Sequence, residues 1–247
     1  MHGKLPRFVV RFVSFAIALS CAEIGRAAEP NVAIYSPSFL GTHEVEKALK
    51  DDPVLKNYRC SVFTRFSDFL QTQEKEPAAI VIAPASYVTF YQGYIAHQQL
   101  SRGGKSEFQF LLLALRPKWD KASIEKGTLG IVDELGQKFT KPFVDKLVGG
   151  KGFKRIKRVM KVEDLMTLLA VDDADYIYIR PEDYEKVKAQ FNLPVVRIGE
   201  SEPTGNPVIA VKDTDKSTDM KSFAKLSKQA LNALGFDGIQ AVGGSRQ

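Results

Sequence analysis

The chain predicts an α/β fold, each part a mostly parallel sheet flanked by helices, on three observations. Short apolar runs alternate with amphipathic segments of helical period along nearly the whole length. The turns after the apolar runs are rich in hydroxyl and charged side chains, the composition of the carboxyl edge of an open α/β sheet, where small ligands are held. Two apolar runs near residues 108 and 207 interrupt the alternation and part it into two α/β units.

In chain order, Lys4, Arg7 and Arg11 precede a weakly polar to apolar run at 12–22 that ends in small residues, the pattern of a secretory signal peptide cleaved after Ala27. A lipidation signal wants an aliphatic residue three before the cysteine. Leucine stands one position late before Cys21, so anchoring there is not expected. No later run reaches the roughly 20 apolar residues of a membrane span. Loss of residues 1–27 removes Lys4, Arg7, Arg11 and Arg26 against Glu23, so the formal charge falls from +6 to +3. That is too mild and too dispersed for a nucleic-acid partner. Cys60 is then the lone cysteine, and no intramolecular disulfide can form.

The first unit opens with the strand NVAIY at 31–35, whose turn carries Ser36, Ser38 and Thr42 before a helix at 43–49. A strand at 60–63, a helix at 66–74 and the apolar strand AAIVIA at 78–83 follow, with Cys60 read as a buried structural thiol. Ser86, after Pro84, is positioned to cap a helix through 88–94. A loop at 101–105 leads to the apolar crossing run at 108–115.

The second unit begins with GTLGIVDELGQKFTKPFVDKLVGG at 127–150: a strand at 128–132, a polar turn at 133–140 and a helix with Thr140 as cap and Pro142 in its first turn. Gly149 and Gly150 end that helix. Next come a strand in 153–162, a helix at 163–169, a strand at 176–179, a helix at 182–191 and a strand at 195–198. Ser201 sits in the turn before the second crossing strand at 207–211. A closing helix at 220–234 places Phe223, Leu226, Ala230, Leu231 and Leu234 on one stripe, and the tail after Gly238 is expected to fray.

Catalytic signatures are missing: no Gly-x-Ser-x-Gly elbow, no phosphate loop, no dinucleotide glycine pattern and no zinc-protease helix. An enzyme is not expected. Neither is a metal or other cofactor, since no histidine pair has zinc spacing and Asp213, Asp215 and Asp219 lack the glycine and glutamate of a calcium loop. The basic run KGFKRIKRVMK at 151–161 reads as a solvated strand face.

Four stretches carry a resemblance: PASYV at 84–88, QFLLLALRP at 109–117, VEDLMTLLAVDDADYIYIRPEDYEKV at 162–187 and VVRIGESEPTGNPVIAVKD at 195–213. Their order resembles that of the type 2 periplasmic solute-binding proteins, in the branch serving phosphate, phosphite and phosphonate importers. The resemblance implies a two-lobed fold with a two-strand hinge: signal peptide 1–27, first lobe 28–112 and 209–247, second lobe 113–208. It implies a periplasmic monomer that captures a small polar, anionic solute and passes it to an ABC permease. On it, Ser36, Ser38, Thr42, Ser86, Tyr87, Lys138, Thr140, Arg180 and Ser201 are the ligand-binding residues, although a surface Arg180 paired with Asp183 is the simpler reading. One departure stands out. Where phosphonate-type members carry a serine-threonine cluster after the first strand of the second lobe, this chain has Asp133 and Glu134, and two carboxylates disfavour a dianion in a low-dielectric cleft. The alternative is an orphan relative, an accessory or sensor subunit acting through protein contacts with a membrane complex.

Overall fold

The computed structural model describes residues 30–37, 42–115, 121–215 and 218–242. The expected signal peptide, Cys21 and Ser38 lie outside them. The first part of the chain runs β1 (Asn31–Tyr35), α1 (Thr42–Lys50), β2 (Arg59–Phe63), α2 (Phe66–Lys75), β3 (Ile80–Ala83), α3 (Ala85–Phe90) and β4 (Tyr94–Ser101). A short β5 (Glu107–Phe108) leads to β6 (Leu111–Ala114), α4 (Lys121–Lys126), β7 (Thr128–Val132), α5 (Gly136–Val148) and β8 (Arg155–Val159). Then follow α6 (Val162–Ala170), β9 (Tyr176–Ile179), α7 (Pro181–Val187) and β10 (Val196–Glu200). The chain returns through β11 (Thr204–Gly205) to β12 (Val208–Lys212), α8 (Met220–Phe223), α9 (Lys228–Ala233) and β13 (Gly238–Ala241).

These strands make two sheets, ordered β13-β4-β12-β3-β1-β2 and β10-β6-β9-β7-β8. One end of each sheet is parallel, β1 with β2 and β3, and β7 with β8 and β9, while β4, β6, β10, β12 and β13 pair antiparallel. β5 and β11 pair only with each other, so the two crossings between lobes lie side by side as a hinge. The central strands read as unbroken apolar runs because both faces are covered. On the outer side, Val45 and Leu49 of α1 pack with Ile34, Ile80 and Phe223, and in the second lobe Leu165, Met166 and Leu169 of α6 pack with Leu113, Ile177 and Ile179. On the inner side one apolar cluster runs through both lobes, from Tyr35, Phe66, Phe69 and Tyr87 to Leu135, Phe143 and Tyr178.

Several expectations change. The turn after β7 is three residues, not eight: α5 starts at Gly136, because the Asp133 carboxylate already accepts from the Gly136 amide at 2.7 Å. Thr140 therefore lies inside α5, donating its hydroxyl to the Gly136 carbonyl, and caps nothing. The helix expected at 88–94 is only α3, and Tyr94 opens β4, a strand whose glutamines and histidine hid its apolar alternation. The stripe at 220–234 breaks into two helices where Ser227 caps the second, its Oγ accepting from Ala230. The tail expected to fray instead forms β13, an edge strand on β4. Cys60 is half-buried in β2, and burial pushes its thiol up to about 11.

Candidate functional site

The carboxyl ends of β1, β3 and β7 meet between the lobes, and there the chain fills the space with its own groups. Asp133 ends β7. Its Oδ1 caps the N-terminus of α5 and its Oδ2 accepts from Arg158 at 2.7 Å. A helix N-terminus is a ready anion site; here a carboxylate of the same chain is the anion. Glu134 beside it is equally buried and accepts from Arg180 Nη2 at 2.7 Å. The carboxylates that stand in place of hydroxyls are thus neutralised by two arginines.

From the first lobe, two tyrosines close onto this turn. The Tyr35 hydroxyl donates to the Asp133 carbonyl at 3.1 Å, and the Tyr91 hydroxyl to the Leu135 carbonyl at 2.8 Å. Gly136 admits this approach: its φ is +68°, and a Cβ there would lie 3.3 Å from the Tyr91 hydroxyl. With Phe66 and Leu135 these groups form a wall between the lobes, and separate spaces open on its flanks.

On one flank is a cavity of about 60 Å³ lined by Ser36, Arg102, Arg180, Glu182, Asp183 and Lys186 among others. Arg180 precedes α7, and its guanidinium carbon stands 4.7 Å over the Phe108 ring of the hinge, with Nε lacking a hydrogen-bond partner among the described residues. The surface pairing with Asp183 read from the sequence is therefore corrected: Arg180 is 11% exposed and bonds Glu134, the buried carboxylate its strand end can reach. Arg102 spans the lobes, donating to the Gly235 carbonyl at 2.9 Å and pairing with Glu182 at 2.5 Å. Asp183 lies 3.9 Å from Lys186. Burial, opposed by Arg180, raises the Asp183 carboxyl to about 6.

On the other flank is a wider groove of about 860 Å³, lined by Tyr87, Phe90, Tyr91 and Tyr94 of the first lobe and Lys138 and Phe139 of the second. Tyr87 stacks on Tyr91 with centroids 4.9 Å apart, and Tyr91 meets Phe139 edge-on at 4.8 Å.

Of the nine residues expected at one site, Ser38 lies outside the described residues and the other eight are dispersed. Ser36 and Arg180 line the cavity, Tyr87 and Lys138 the groove. Thr42 is exposed at the start of α1, and Ser86 is half-buried in α3, lining neither space. Ser201 is occupied at the hinge, its Oγ accepting from the Phe110 amide at 2.9 Å and donating to the Glu202 carbonyl. Arg102, Tyr35 and Tyr91 were not singled out from the sequence. The one available signal for Arg102 was its place beside the Gly103-Gly104 turn. Among the described residues no three metal-ligating side chains cluster, and no helix is long and apolar enough to cross a membrane.

No family model matches the chain, and no curated protein matches it by sequence. Solved structures do match in fold. A Xanthomonas citri protein bound to ATP aligns with a TM-score of 0.64 at 13% identity, over 88% of this chain and 92% of that one. A binding protein component of an ABC phosphonate transporter from Pseudomonas aeruginosa aligns at 0.57 and 14% identity, over 86% and 81%. A putative L-cystine ABC transporter protein from Listeria monocytogenes aligns at 0.54 and 13% identity, over 83% and 88%. The fold is that of the two-lobed, type 2 periplasmic binding proteins.

Proposed function

We propose that this chain is an exported, periplasmic solute-binding protein that captures a small anionic solute of the phosphate or phosphonate kind between its lobes, for an ABC importer. The observation that carries the reading is the cavity in which Ser36 and Arg102 of one lobe face Arg180 and Lys186 of the other. Its size, about 60 Å³, suits a few waters or one oxyanion and excludes a larger solute. At rest each cation leans on a carboxylate of the chain. An entering oxyanion exchanges with Glu182 on Arg102, and the Ser36 hydroxyl adds a neutral donor. Because Arg102 and Glu182 belong to different lobes, the exchange couples occupancy to lobe closure, as differential affinity for the closed state requires.

A thermal-shift panel of phosphate, phosphite, methylphosphonate, sulfate and acetate tests this, since a ligand that binds only the native state raises the midpoint by mass action. One oxyanion class should shift the wild type, and Arg102→Gln should remove the shift. Silence across the panel on ligand-stripped protein leaves the second reading, an accessory or sensor subunit working through protein contacts. That reading is favoured by the closure of the turn after β7 on the chain's own groups: Asp133 caps the N-terminus of α5, and Tyr35 and Tyr91 bond directly to the carbonyls of Asp133 and Leu135.

A further inference from the structure

The wide groove on the other flank of the wall shares no lining residue with the arginine cavity, and aromatic rings dominate it. Five aromatic rings line it, Tyr87, Phe90, Tyr91, Tyr94 and Phe139. Aromatic faces carry negative charge density and draw cations. Two lysines, Lys138 and Lys212, line the groove, and one of them already rests on a ring: the Lys138 ammonium sits 4.8 Å over that of Phe139. Glu74 and Asp213 stand among its lining residues, and neither forms an ion pair among the described residues. Tyr87 lines the groove, and its hydroxyl makes no hydrogen bond among the described residues. Burial, the neighbouring phenols and Glu74 hold that hydroxyl well above the ordinary tyrosine range, so it stays neutral and free to accept or donate.

We propose that this groove is a second binding site, for a small organic ammonium ligand whose cationic head rests on the rings of Tyr91 and Phe139 beside Glu74. Lys138 is the resident cation that such a head displaces. The proposal stands apart from the arginine cavity, because the wall of Tyr35, Asp133 and Leu135 separates the two spaces and no residue lines both. It needs no covalent step and no cofactor.

Choline and tetramethylammonium are titrated into the full chain by calorimetry, with benzoate as the anionic aromatic control. Both cations should bind and benzoate should not. Glu74→Gln should weaken choline about threefold, the scale of a single solvent-exposed charge interaction. Lys138→Met should tighten it, since the Phe139 face is then vacant. Phe139→Ala should weaken it while the melting temperature, followed in parallel, shows the chain still folded. Absence of binding for both cations overturns the proposal, as does choline binding that Glu74→Gln leaves unchanged. Benzoate binding that is lost in Lys138→Met overturns it too, by making the groove an anion site. A phosphate-saturated sample should bind choline equally well, so failure here and failure of anion capture are separate results.

Discussion

The arginine cavity and the aromatic groove flank one wall within one cleft, yet they are built on opposite terms. In the cavity every strong charge has a partner in the chain: Arg180 with Glu134, Arg102 with Glu182, Lys186 near Asp183. In the groove the rings pack on each other, while Glu74 and Asp213 lack an ion pair among the described residues. In the cavity an incoming anion must displace an internal counter-charge, whereas in the groove an incoming cation must displace Lys138 from a ring face. The wall between them is what keeps those chemistries apart.

Breaking the cavity's charge balance should have the largest effect. Glu134→Gln removes the one carboxylate hydrogen-bonded to the buried Arg180 guanidinium, leaving only the more distant Asp183 and Glu182, and should cost about 3 kcal/mol in urea unfolding. The paired replacement Glu134→Leu with Arg180→Met should recover most of it, which would show that the lone charge and not lost packing was responsible. A small loss from Glu134→Gln alone would mean that water reaches Arg180.

Opening the wall comes next. Tyr35→Phe leaves the buried Asp133 carbonyl short of a donor and should cost about 1–3 kcal/mol, with a larger radius of gyration in solution scattering. Unchanged scattering would mean the wall is held by the apolar cluster alone. The groove should be unaffected in its ring contacts, so aromatic near-ultraviolet signals should persist.

Titrating the cavity gives a smaller, signed effect. Asp183 is raised from 3.8 to about 6 by burial, so the folded chain holds that proton more tightly than the unfolded one. Its contribution to stability is complete below about pH 4 and lost as pH rises through about 6. Wild-type stability measured against Asp183→Asn should fall over that window. Oxyanion affinity should rise on acidification, since a neutral Asp183 no longer repels the ligand. A parallel profile in the two proteins would mean that burial does not raise the Asp183 carboxyl. The smallest change is expected from Arg102→Gln, whose half-exposed pair with Glu182 is worth less than about 1 kcal/mol of stability, although its effect on anion binding should be complete.

Reading from sequence reached the elements whose signal is local. The strands at 31–35, 80–83, 128–132 and 176–179 are apolar runs buried on both faces, and α5 ends at Gly149 in the left-handed conformation that a glycine stop requires. β4 escaped because His97, Gln98 and Gln99 break its pattern; Gln98 is buried only because its amide donates to the Met220 carbonyl, 122 positions away. Thr140 was misread because the cap it would have supplied comes from Asp133, and two cap-like residues close together cannot be ranked without knowing where the helix begins.

What the sequence by itself determined is the α/β alternation, the two units joined by paired crossings and the oddity of carboxylates at Asp133 and Glu134, since periodicity and residue type are properties of neighbouring positions. The tertiary structure alone decided that those carboxylates are answered by Arg158 and Arg180, 25 and 46 positions away, that Tyr35 and Tyr91 close on the same turn, and that the expected site residues fall in separate spaces. A charge in a sequence has a sign but no partner. Whether Glu134 repels a ligand or merely holds Arg180 depends on which side chain lies within 3 Å of it, and only the packing of one lobe on the other settles that distance.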